Sequence, residues 1–185
     1  MTVRIASGRT IANDLHSLVS AVMWNELSGC YAVRKFGEAL NVGTAERDLW
    51  NGPSDNETLL TTGQTMYVSC TDNTNGVGQE IKVEGLDGNW VVQTGYAVLT
   101  GQTQAAVVAR DGSAQTWTRI HRAFQHSAAP GPVGNVYVAE LDTLTAGVPD
   151  TVTGVHGYLD FGASSAHQTE KAMYTVPRAH LGVLL

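Results

Sequence analysis

The side chains best suited to chemistry in this chain are its 6 histidines and 17 acidic residues. His121 and His126 lie five positions apart and flank Phe124. On a strand that separation sends the two rings to opposite faces, a poor geometry for chelating one metal. His156, His167 and His180 stand alone. The chain has neither HExxH nor a local pairing of two histidines with a carboxylate, so no metal site and no cofactor is expected. A serine nucleophile on a strained GxSxG turn is also missing. The run "FGASSAH" at 161–167 has the composition of a flexible loop. "TDNTNG" at 71–76 resembles the start of a calcium loop but lacks the alternate acidic residues and the closing glutamate. The glycines sit at turns, not between a strand and a helix where a phosphate would be cradled. A glycosidase pair of carboxylates is not favoured by any feature, because spacing in sequence does not report spacing in space.

Composition narrows the field further. The chain has 185 residues, enough for one domain with a real core, or a domain with an arm. Hydrophobic residues make up 43% and charged residues 15%, against about 25% charged in ordinary soluble domains. So little charge implies either a small solvated surface or a surface partly hidden against partners. The net charge of −6 and scattered basic residues disfavour a nucleic-acid partner. Cys30 and Cys70 have no zinc spacing and are expected as reduced, buried thiols rather than a staple. No apolar run reaches the roughly 18 residues of a membrane span. The first residues lack the apolar core of a signal peptide, so a soluble protein made in a cytoplasm is expected. Asn56-Glu57-Thr58 matches a glycosylation sequon, which carries little meaning in that setting.

Two kinds of element must hold these residues. At the start, Ile11, Leu15, Leu18, Val19, Val22 and Met23 recur at spacings of three and four, which predicts an amphipathic helix. Ser7 or Thr10 can cap it and Gly29 can end it. Its stripe of Ile11, Leu15, Leu18, Val22 and Met23 is the expected subunit-docking surface. After Gly29 the period changes to two. "TMYVSCT" puts Met66, Val68 and Cys70 on one face; Ile81 and Val83 face away from Glu80, Lys82 and Glu84. Asp87-Gly88-Asn89 reads as the turn of a hairpin, with Gly88 left-handed, returning through Trp90, Val92, Tyr96 and Val98 on one face. Further strands are expected in "QAAVVAR", "TWTRIHRAF", "NVYVAEL", "GYLDF" and "EKAMYTV". About ten short strands with no helix between them predict an all-β fold, an antiparallel β-sandwich or jelly roll with an N-terminal amphipathic helix. The organisation expected is a helical arm at 1–30 and a β-sandwich domain at 31–185. Trp50, Trp90 and Trp117 fall on strands and are expected in the core; Trp24 falls in the helix.

Several short motifs occur in a telling order: Lys35-Phe36-Gly37, Val42-Gly43-Thr44, Trp50, Gly85-Leu86-Asp87, Leu99-Thr100-Gly101-Gln102-Thr103 and Tyr174-Thr175-Val176-Pro177. In this order they resemble a group of structural proteins of tailed, especially marine, bacteriophages, over roughly residues 33 to 178. The resemblance implies a virion component without enzymatic activity, assembled in the host cytoplasm. Its partners would be copies of itself, as a homo-oligomer, and other virion proteins. Head cement or decoration on the capsid is the expected role; a neck or tail component is the alternative. Residues 1–30 have no counterpart in the group, "QHSAAPGPVGN" replaces a glycine-rich stretch, and the chain stops at "HLGVLL" where more strands would be expected. A different class of reading is a carbohydrate-binding β-sandwich of a host-recognition fibre, which would need Trp24 or Trp90 as an exposed platform. A hydrolase on a jelly roll is the least supported.

Overall fold

Alternation of apolar and polar residues dictates the centre of the molecule. Glu80–Leu86 forms a strand in which Ile81, Val83 and Gly85 are buried in alternation and Leu86 is buried at its end, and it pairs antiparallel with Val92–Val98 on one side and Arg119–Gln125 on the other. The computed structural model describes residues 44, 50, 52–54, 58–74, 77–127, 134–160, 168–169, 171 and 173–180, and the backbone of 3–4 and 10–11. In chain order the strands are β1 (Val3–Arg4), β2 (Thr10–Ile11), β3 (Tyr67–Cys70), β4 (Glu80–Leu86), β5 (Val92–Val98), β6 (Ala105–Ala106), β7 (Arg119–Gln125), β8 (Val136–Ala139), β9 (Leu144–Thr145), β10 (Val148–Pro149) and β11 (Val155–Leu159). A 3-10 turn, Val152–Gly154, precedes β11. The described part is all-β, every strand pair is antiparallel, and it contains no α-helix.

The chain divides into two compact units, Met1–Lys35 with Gly182–Leu185, and Phe36–Leu181. In the first, β1 and β2 pair with Val3 opposite Ile11. Ile11 was expected on the helical stripe and instead belongs to a strand. Its β-branched side chain favours the extended backbone over the helix, and it pairs with Val3. Leu15, Leu18, Val22 and Met23 lie outside the described residues.

The second unit holds a four-stranded sheet in the order β11-β8-β3-β6 and a three-stranded sheet in the order β5-β4-β7, with the β9–β10 hairpin beside them. One cluster of buried side chains draws on both sheets. Val68, Cys70, Val136, Val138 and Leu159 come from the first, and Ile81, Val83, Ala97, Ile120 and Ala123 from the second, with Met66, Leu99, Val107 and Trp117 beside them. Each large aliphatic side chain buried there contributes about 1.5–3 kcal/mol before ordering costs. β8 is buried on both faces, because Tyr137 and Ala139 join Trp50 and Val155 in a second cluster.

Gly85 marks where the centre is tightest. The β4–β7 register shifts between Glu84 and Gly85, and a Cβ at 85 would lie 2.0 Å from the Arg119 carbonyl oxygen. Only glycine lets the two backbones approach so closely. Lys171 sits where the sheets come together. It is 3% exposed, and its ammonium donates to the carbonyls of Ile120 on β7 (2.8 Å) and His156 on β11 (3.2 Å). The segment "EKAMYTV", expected as a strand, pairs only through Lys171 opposite Trp50 among its described residues, and 173–177 is irregular. Tyr174 is held by ring contact with His121, and the Thr175 amide donates to His121 Nε2, so side-chain chemistry replaces a ladder.

Candidate functional site

The hairpin between β4 and β5 differs from its sequence reading in one respect that decides its geometry. The loop is Gly88-Asn89-Trp90. The Asp87 amide donates to the Val91 carbonyl at 3.0 Å, and the Trp90 amide to the Asp87 carbonyl at 3.1 Å. That is a type I turn followed by a residue at positive φ, the three-residue hairpin solution. The left-handed residue is Trp90, at φ 64°, and not Gly88, which lies outside that region. Trp90 therefore belongs to the loop and not to the buried face of β5. Asp87 stabilises the turn directly: its Oδ1 accepts the amides of Asn89 (2.8 Å) and Val91 (2.9 Å).

Three chain segments meet at this tip. The Arg119 guanidinium lies 4.9 Å from the Trp90 ring centre, and its Nη1 donates to the carbonyls of Leu60 and Thr118, both at 2.6 Å. Its Nε is buried without a hydrogen-bond partner. The Arg178 amide donates to the Trp90 carbonyl at 2.9 Å, which ties the C-terminal segment to the loop. Beside these contacts Leu59, Val91, Val92 and Val176 are exposed. Sequence reasoning missed Arg119 and Arg178, which lie far from the turn in the chain. The available signal was a bulky aromatic directly after a turn tripeptide.

The outward side of the three-stranded sheet is polar and aromatic. Arg110 packs over Tyr96 at 3.5 Å and grips Glu80 with both terminal nitrogens, at 2.6 and 3.3 Å. His126 approaches the same carboxylate at 3.7 Å. Lys82 and Arg122 both lie against Phe124, Lys82 pairs with Glu84 at 2.7 Å, and Arg122 donates to Gln168. Arg110 and Lys82 are thus matched by carboxylates within the face. His121 is buried while His126 is outside, so the two do not converge.

A depression of about 130 Å³ is lined by Ala139, Glu140, Leu141, Asp142, Thr151 and Gly154. Buried His156 backs it, with Nε2 3.2 Å from Glu140 Oε1. Asp142 accepts the Thr151 amide at 2.6 Å and the Thr143 amide at 2.8 Å, and these hydrogen bonds, the Thr151 one foremost, hold its carboxyl below the ordinary aspartate range. Elsewhere burial dominates. It pushes the Tyr158 phenol up to about 12 and raises the thiol of Cys70, a free cysteine in the core. Among the described residues no group of three or more His, Cys, Asp or Glu side chains is placed to hold a metal ion. No family model, no curated protein and no solved structure matches this chain.

Proposed function

We propose that the chain is a non-enzymatic structural protein of a tailed-bacteriophage virion, docked on the head as cement or decoration. In this reading the two sheets form a β-sandwich. The shared core of β3, β8 and β11 with β4, β5 and β7 supports that architecture. Its partners are other copies of itself and the major capsid protein.

The observation that carries the reading is how the motifs behind the phage resemblance are used. Gly85 admits the Arg119 backbone, Leu86 is core, and Asp87 caps the turn. Leu99 is core, Thr100 and Thr103 bond each other at 2.9 Å, and Gly101, at φ 82°, presents its carbonyl to the Cys70 amide. Tyr174 and Thr175 engage His121, and Pro177 is buried. These three motifs, which lie among the described residues, do scaffold work, as expected where the product is stable surface; Lys35-Phe36-Gly37 and Val42-Gly43 lie outside the described residues. The glycan-binding reading needs a free aromatic platform, and Arg119 already lies over the Trp90 ring.

The N-terminal segment carries the docking arm in this proposal, through Leu15, Leu18, Val22 and Met23. The test is a chain lacking residues 1–28, examined by circular dichroism and by binding to particles that lack the protein. A folded β domain that no longer binds supports the arm. Full binding with the fold intact places docking on the β domain.

A further inference from the structure

Two surfaces of the Phe36–Leu181 unit are unlike each other and match each other. The hairpin tip is apolar and basic. Val91 is 54% exposed, Val92 beside it is exposed, as are Leu59 and Val176 on the two segments bonded to the tip, and the Arg119 guanidinium and the backbone amide of exposed Arg178 meet Trp90 there. Against these two cations the turn brings one carboxylate, Asp87, whose Oδ1 accepts two backbone amides. Trp90 holds its ring at the tip from a left-handed backbone, which is unusual for a bulky residue and strained. Strain of this kind points to a use for the Trp90–Arg119 pair it holds at the tip. The depression is apolar and acidic. Leu141 on its wall is 70% exposed, Val152 beside it is exposed, and its lining has two carboxylates, Glu140 and Asp142, and no cation. Glu140 is backed by the buried His156 ring.

We propose that this chain assembles head to tail, with the hairpin tip of one copy seated against the Glu140–Leu141–Asp142 depression of the next. Charge complementarity selects the occupant. A basic tip on a chain of net charge −6 finds its acceptor carboxylates on the rest of that same chain. Tryptophan and arginine at the centre of an apolar patch are the residue types that dominate interface energetics. The contact joins two different surfaces, so it is heterologous and generates a ring if the rotation closes and a filament if it does not. The proposal stands without the virion reading.

The test uses the full chain and two substitutions at exposed positions, Val91→Glu at the tip and Leu141→Lys at the depression. Circular dichroism verifies the fold of each, and sedimentation velocity reads association over a range of concentrations and salt. Wild type is expected to associate, less so at high salt, while each variant alone stays monomeric. Mixed in equal amounts, the variants form a dimer and stop there. The intact tip of Leu141→Lys fits the intact depression of Val91→Glu, and both remaining surfaces are blocked. A monomeric wild type overturns the proposal. So does a mixture that stays monomeric, a Leu141→Lys variant that associates as wild type does, or association that survives both substitutions.

Discussion

The Trp90 amide donates to the Asp87 carbonyl at 3.1 Å, and this bond closes the β4–β5 turn with tryptophan, not glycine, at positive φ. The consequence can be measured with three variants. Trp90→Gly removes the backbone strain but loses the Arg119 contact, so its stability should stay within about 1 kcal/mol of wild type. Trp90→Ala loses the contact and keeps the strain, and should be less stable than Trp90→Gly by about 1 kcal/mol. Gly88→Ala should be close to neutral, because a Cβ there meets nothing nearer than 3.9 Å. Urea midpoints report all three. A Gly88→Ala loss larger than the gap between the Trp90 variants would put the left-handed position at 88 instead.

Gly85→Ala should be far more damaging than Gly88→Ala, although the two lie three residues apart. The added carbon would meet the Arg119 carbonyl at 2.0 Å, and neither backbone can yield without breaking the β4–β7 ladder. The expected loss is about 3 kcal/mol, the upper end for overpacking. Thermal unfolding of the purified variant checks it; a melting temperature near wild type contradicts the register given for Gly85 and Arg119.

Lys171→Met keeps the length of the side chain and removes its charge. The carbonyls of Ile120 and His156 then lose a charged donor inside the protein. Hydrogen bonds of that type contribute about 1.5–3 kcal/mol each, and an acceptor left bare when buried adds to the loss. The variant should lose about 3 kcal/mol in chemical denaturation. The loss should change little between low and high salt, because buried charges are weakly screened. A loss that disappears at high salt would mean the ammonium is reached by solvent.

Asp142 gives the acid-side prediction. Its folded pKa is depressed by hydrogen bonds from Thr151 and Thr143, so whatever stability it supplies is present above the unfolded value and lost as pH falls through the folded one. Its carboxyl should titrate by NMR with a midpoint below the ordinary aspartate value of about 3.9. The Thr151 amide should lose exchange protection over the same range, and Asp142→Asn should abolish that pH dependence. A midpoint at or above the ordinary value would remove the two amide bonds from the account.

Much of the strand pattern was legible because apolar residues facing the core between the sheets recur with period two. Met66, Val68 and Cys70 alternate with Tyr67 and Ser69, Ile81 and Val83 alternate with Lys82 and Glu84, and the first members of each set are buried. The turn was legible in place but not in conformation. Asp-Gly-Asn contains residues that tolerate positive φ, whereas Trp90 takes that conformation through partners remote in sequence: Arg119 over its ring and Arg178 on its carbonyl. "EKAMYTV" alternates like a strand, yet among its described residues Lys171 donates to single carbonyls and Thr175 to a histidine ring, which no local pattern encodes. The same holds for the depression, where His156 reaches Glu140 across 16 positions. Ile11 fitted the helical stripe by spacing alone; its β-branched side chain favours a strand, and it pairs with Val3.

The central claim is that this chain is a virion structural protein. The most direct measurement is quantitative mass spectrometry of purified phage particles whose genome encodes it, with cryo-EM of the same particles to place the β domain. The account predicts the protein in the particle at a copy number in the hundreds, with its density on the outer surface of the head. A copy number matching one ring, with density at the neck or tail, would move it within the particle. Its absence from purified virions, with the chain found only in the infected cell, would contradict the account.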